Sequence, residues 1–152
     1  KADNNIYAPV DGNSIALENV PDKVFASKML GDGIAFTFEG NKICAPCHGT
    51  ITTIADTKHA FGIKMENGME VLVHVGLDTV NLKGQGFKKL KGVNDKVNPG
   101  DVILELDLDL MKEHEINLTT PLIIANDNGC EYKITEPKEN VKAGCDQVIV
   151  VS

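Results

Sequence analysis

The 152-residue chain is 42% hydrophobic and 24% charged, with a net charge of −7, which suits one globular domain with a core that needs no disulfide or metal. No stretch approaches the roughly 18 apolar residues of a membrane span, and the polar start 1–5 has no secretory apolar region, so a cytoplasmic protein without membrane insertion is expected. The acidic balance argues against nucleic acid, and all fifteen cationic side chains are lysine, so no guanidinium fork exists to hold an anion.

In chain order, apolar or alternating runs predict strands over 6–10, 14–18, 34–38, 50–55, 60–65, 70–75, 102–106, 122–125 and 147–151. Turn signals separate them, among them Asp11-Gly12, Gly31-Asp32-Gly33, Asn67-Gly68, Asn98-Pro99-Gly100-Asp101 and Asn128-Gly129. A helix is expected only over 109–116, with a shorter turn at 21–26. The pattern predicts an all-β, antiparallel sandwich or barrel-like fold with short helical turns, as a single domain over 1–152. An internal echo predicts two related halves. Ala8-Pro9-Val10-Asp11-Gly12 resembles Ala45-Pro46-Cys47-His48-Gly49, and Val97-Asn98-Pro99-Gly100-Asp101 resembles Val141-Lys142-Ala143-Gly144-Cys145.

Asn67-Gly68 between two apolar runs is the favoured two-residue hairpin signal. With those two residues as the loop, Phe61 faces His74, and Thr57 faces Asp78 if pairing continues. His59 and His74 then become diagonal neighbours on one face, with Cβ atoms about 7–8 Å apart or less, and Ile63 and Leu72 join them there. A one-residue slip would separate the two rings. Such a pair is either two half-buried, locally satisfied histidines or a site. As a site, one neutral imidazole could accept a phosphoryl group while the other donates a hydrogen bond to its oxygens, with Thr57 orienting a ring. An apolar rim would slow hydrolysis of the phosphoramidate. No glycine-rich nucleotide loop is present, so a nucleotide donor bound here is not expected.

Other constellations compete. His59, His74 and Asp78 could bind zinc, as a zinc-dependent hydrolase or a zinc-binding regulatory module. Cys44-Ala45-Pro46-Cys47-His48 fits the C-x-x-C-H haem pattern, but haem attachment needs export, and the segment repeats the Ala8 turn. A thiol switch or a cysteine zinc site lacks the usual setting. A lipoyl- or biotinyl-type carrier would need a lysine at a hairpin tip, and Lys64 is offset from Asn67-Gly68.

The stretches His59-Ala60-Phe61-Gly62-Ile63 and Glu70-Val71-Leu72-Val73-His74-Val75-Gly76-Leu77-Asp78-Thr79-Val80-Asn81-Leu82-Lys83-Gly84 resemble the signature of the glucose-family IIA proteins of the bacterial phosphoenolpyruvate-dependent sugar phosphotransferase system. Val20-Pro21-Asp22-Lys23-Val24-Phe25-Ala26, Gly31-Asp32-Gly33 and Pro99-Gly100-Asp101 match its other motifs in order. The resemblance implies an antiparallel β-sandwich in which His74 is phosphorylated on Nε2 by the phosphocarrier HPr. His59 supports onward transfer to a cysteine of the IIB domain of a sugar permease, glucose at the family level. Thr57 helps hold the pair, Asp22 and Asp78 flank it, and Val24, Phe25, Met29, Leu30 and Val80 form an apolar docking surface. Regulatory protein targets are a family property. No cofactor is required, although His59 and His74 could hold a regulatory zinc. Cys47 and His48 depart from the family pattern.

Overall fold

The computed structural model describes residues 3–152, which form thirteen strands, two short α-helices and two 3₁₀ turns. The strands are β1 (Ile6–Tyr7), β2 (Gly12–Ala16), β3 (Gly33–Phe38), β4 (Lys42–Cys44), β5 (Gly49–Ile54), β6 (Ala60–Lys64), β7 (Glu70–His74), β8 (Phe87–Lys89), β9 (Lys96–Val97), β10 (Val102–Leu106), β11 (Thr120–Asn126), β12 (Tyr132–Ile134) and β13 (Gln147–Val151). A seven-stranded sheet has the order β2-β3-β11-β7-β6-β5-β9, and two three-stranded sheets run β4-β10-β8 and β1-β13-β12. Every strand pair is antiparallel, as the turn spacing predicts.

Alternation along the strands builds the layers. Phe61, Ile63, Val71 and Val73 point from the large sheet into the main core, where they join Ile43, Ile103, Leu104 and Ile149 of the smaller sheets. Near its centre the large sheet is covered on its other face as well. Leu17, Val20 and Phe25 close over Ala35, Leu77 and Ile123 in a second, smaller apolar cluster. Coverage on both faces explains why β3 and β11 read as nearly continuous apolar runs rather than alternating ones.

The echo is a true internal repeat of backbone pairing. The Tyr7 N–H donates to the Pro46 carbonyl (2.6 Å) and the Cys44 N–H to the Pro9 carbonyl (2.7 Å). Ala8 N–H reaches Asp146 O at 2.9 Å as Ala45 N–H reaches Asp101 O at 2.8 Å, and Gly144 and Gly100 donate to Ala8 and Ala45 at 2.9 Å each. Gly12 bridges Val141 as Gly49 pairs with Val97. The two halves therefore clasp one another through their matching Ala-Pro turns.

Several elements differ from expectation. The strand predicted over 14–18 ends at Ala16, where a 3₁₀ turn, Leu17–Asn19, drops Leu17 into the second cluster. β4, β8, β9 and β12 are two or three residues long, too short for a period of two to show. The helix expected over 109–116 is α2 (Leu108–Glu113), started by Asp107, whose Oδ1 accepts the Leu110 N–H at 3.1 Å.

Candidate functional site

The hairpin that carries the histidines is one residue out of the expected register. Ala60, not Phe61, lies opposite His74, and Phe61 lies opposite Val73. The loop has three residues, Glu66-Asn67-Gly68, closed by Met65 N–H to Met69 O (2.8 Å) and Gly68 N–H to Met65 O (3.0 Å). A two-residue type I′ turn needs positive φ at both central positions. Here only Gly68 has it (φ +87°), because the Asn67 side chain accepts the Met69 N–H at 3.0 Å and holds its own backbone in a local turn. The slip puts Leu72 and His74 on the face opposite Ile63, which points into the main core.

The two rings meet nonetheless, at the strand end rather than along the ladder. His59 precedes β6, where alternation no longer governs it, and Lys58 just before it takes a left-handed φ of +60°. The Val75 N–H donates to the His59 carbonyl at 2.7 Å, tying the two segments together. The imidazoles stand edge to face with ring centroids 4.8 Å apart. Thr57, on the same turn, contacts His59 Nδ1 through its Oγ1 at 2.6 Å. Thr57 is thus brought to the pair as the sequence predicts, though through its own turn and not opposite Asp78.

His74 Nδ1 lies 2.8 Å from the Gly76 carbonyl. A carbonyl only accepts, so Nδ1 carries the proton and a neutral ring leaves its lone pair on Nε2. Phe25 packs on the same imidazole with centroids 5.0 Å apart. Burial pushes the His74 pKa below the ordinary value, against the Gly76 carbonyl and the Asp22 and Asp78 carboxylates, which all favour the cation. Burial also lowers His59, helped by repulsion from His74. Both rings are therefore neutral at pH 7.

The two carboxylates arrive from separate elements. Asp22 caps α1 (Lys23–Ala26), accepting the Val24 N–H at 3.0 Å, so it serves the helix and the site together. Asp78 holds a left-handed φ of +58° ahead of the 3₁₀ turn Thr79–Leu82, and its side chain makes no capping bond there. These segments expose Val24 (43%), Met29 (76%), Leu30 (45%) and Val80 (50%). Phe25 differs from expectation: it is only 6% exposed, because it fills the second cluster, so it supports the docking face from beneath and contacts His74 instead.

A hydrolytic zinc site does not fit. Among the described residues no group of three or more His, Cys, Asp or Glu side chains could hold a metal, whereas a catalytic zinc takes three protein ligands and a water. The cysteine motif is core: Cys44 and Cys47 are buried, and burial raises their thiols to about 11 and about 12. His48 instead pairs its Nδ1 with Asn98 Oδ1 at 2.9 Å. Four groups that shape the site carry no role in the sequence reading: Gly76, Thr79, Asn117 and Thr120. Gly76 has φ +74°, and a Cβ there would lie 2.7 Å from Thr79 Cγ2, so only glycine fits.

The site is thus a pair of neutral imidazoles at an apolar, acid-flanked edge of an antiparallel β-sandwich. Comparison with known proteins makes this specific. Residues 4–130 match the family of the phosphoenolpyruvate-dependent sugar phosphotransferase system, EIIA 1. The solved glucose permease IIA from Mycoplasma capricolum superimposes with a TM-score of 0.88 at 39% identity, covering 95% of this chain and 94% of that one. The glucose-specific EIICBA component of the system in Staphylococcus saprophyticus is 44% identical over 135 residues, 89% of this chain. The chain spans about a fifth (20%) of that relative's length. The chain belongs to this EIIA 1 family, a phosphotransferase component of the phosphoenolpyruvate-dependent sugar phosphotransferase system. Among the described residues no helix is long and apolar enough to cross a membrane.

Proposed function

We propose that His74 accepts a phosphoryl group on Nε2 from a phosphohistidine of the carrier HPr and passes it to a cysteine of a permease IIB domain, with glucose as the sugar. The single observation that carries this reading is the 2.8 Å contact of His74 Nδ1 with the Gly76 carbonyl, which leaves Nε2 as the free nucleophilic nitrogen beside a second imidazole. In the accepting step a bond forms from Nε2 to phosphorus as the donor's phosphorus–nitrogen bond breaks, and that electron pair returns to the donor ring. The proton of His74 stays on Nδ1, hydrogen-bonded to the Gly76 carbonyl. His59, taking the Thr57 hydroxyl proton as a hydrogen bond at Nδ1, turns its Nε2–H towards the phosphoryl oxygens.

Positioning and charge stabilisation suffice for such a transfer, so no cofactor is required. A zinc ion held by His59 and His74 would need further ligands from a partner. The exposed Val24, Met29, Leu30 and Val80 beside Asp22 and Asp78 suit a basic, partly apolar protein partner, and this face is where HPr, the IIB domain and any regulatory target would dock. A cytoplasmic setting follows from those partners.

The test is intact-protein mass spectrometry after incubation with phosphoenolpyruvate, enzyme I and HPr, followed by peptide mapping. One acid-labile, alkali-stable phosphoryl group is expected on the His74 peptide, and none in His74→Gln. His59→Gln should still accept the group but donate it poorly. Phosphate on another residue, or none with active HPr, overturns the assignment.

A further inference from the structure

We propose that Thr79 and Thr120 are positioning residues for His74, clamping from both ends the peptide unit that aims the Gly76 carbonyl at its ring. The proposal rests on the phosphoacceptor reading of His74. Both threonines are fully buried, at 0% exposure, where a hydroxyl is costly unless it is hydrogen-bonded. Thr79 Oγ1 donates to the Val75 carbonyl at 2.6 Å, and Thr120 Oγ1 accepts the Gly76 N–H at 3.3 Å. Those two backbone groups are the two ends of one planar peptide unit. The single Thr120 hydroxyl proton goes to the Leu118 carbonyl at 2.9 Å, so its lone pair is left for Gly76.

The next peptide unit carries the polarisation. Its carbonyl, on Gly76, accepts the His74 Nδ1–H, and its N–H, on Leu77, donates to the Asn117 carbonyl at 2.8 Å. Hydrogen bonds at the two ends of one amide strengthen each other. The clamp thereby fixes which ring nitrogen keeps the proton and helps carry the positive charge that grows on the imidazole as phosphorus bonds to Nε2. A purely structural role would fill the space and satisfy the N–H without affecting the ring.

Thr79→Val and Thr120→Val keep the shape and remove the hydroxyl. Imidazole nitrogen chemical shifts should show the single Nδ1–H form of His74 giving way to a mixture, and the His74 pKa should fall further, since the Gly76 carbonyl favours the cation. Phosphoryl acceptance should slow roughly 2- to 12-fold per hydroxyl, the worth of one neutral hydrogen bond, with KM for phospho-HPr unchanged. Thr79→Ser and Thr120→Ser should restore all three readouts. Valine variants with the wild-type tautomer, pKa and rate overturn the clamp, whatever their melting temperature. Should the valine variants not fold, the wild-type protein still decides: the Gly76 and Leu77 amides must exchange with solvent as slowly as those of β7, and fast exchange overturns the clamp. A tautomer that responds as described, in a protein that HPr does not phosphorylate, upholds the clamp and removes the carrier reading.

Discussion

His74 donates its Nδ1–H to the Gly76 carbonyl, whereas His59 Nδ1 meets the Thr57 hydroxyl, so two identical side chains are held by different partners, and the proposed phosphoacceptor is the ring whose Nε2 is left with its lone pair. Asp22 shows how one residue carries two separable tasks. Its carboxylate caps α1 and also favours the His74 cation. Asparagine caps a helix as well as aspartate does. Asp22→Asn should therefore leave stability nearly unchanged and lower the His74 pKa, read by imidazole NMR titration. Asp22→Ala should lower that pKa equally and also cost about 1 kcal/mol of stability through the lost cap. An unaltered His74 titration in both variants would show that the carboxylate does not act on the ring.

At the scale of elements, the molecule is organised by where regular structure stops. His59 reaches His74 because β6 has not yet begun and Lys58 bends the chain. The Ala-Pro turns that interrupt β1 and β4 make the contacts that join the halves, and there Gly100 and Gly144 meet back to back. A Cβ on Gly144 would sit 2.6 Å from Gly100 Cα, against 3.6 Å for a Cβ on Gly100 from Gly144 Cα. Both positions have positive φ (+72° and +93°), so alanine at either costs about 1 kcal/mol of backbone strain. Gly144→Ala must in addition push two backbones apart, for a total of about 2–4 kcal/mol. Urea denaturation of the two variants should show that order; equal losses would mean the two turns separate freely.

For the whole molecule, the second apolar cluster both closes the sheet and sets the chemistry. It buries His74 beside Phe25 and lowers its pKa, as burial lowers that of His59. Two histidines with folded values below the ordinary 6.5 bind fewer protons in the folded than in the unfolded chain as pH falls below 6.5. Stability then rises with pH across that window and levels off above it. Replacing both rings with glutamine should flatten this part of the profile in denaturation measurements between neutral and acid pH. An equally steep profile in the double variant would assign the acid sensitivity to other groups. The same low values should keep Nε2 of His74 free to accept phosphate below pH 6.5, where an ordinary histidine is mostly protonated.

The sequence by itself determined the antiparallel strands, the repeat and the identity of the paired histidines, because these depend on local turn chemistry, period-two alternation and specific motifs. The Ala8 and Ala45 echoes marked the hydrogen bonds that join the halves. Register was another matter. Asn67-Gly68 names a turn but not its length, since the hydrogen bond that the Met69 N–H donates to Asn67 Oδ1 chose three loop residues over two. The family resemblance put Phe25 on the docking surface, and the residues alone could not correct it, because an apolar residue in a short helix carries no mark of which side will be covered. Thr79 and Thr120 were invisible for a similar reason. Thr79 reaches Val75 from its own 3₁₀ turn, four residues on, but Thr120 stands far along the chain, and only the pairing of β11 with β7 brings its hydroxyl to the other end of that peptide unit. Tertiary structure alone decided these contacts, because a hydroxyl's task depends on what lies within about 3 Å of it, and that distance is set by strands brought together from distant parts of the chain.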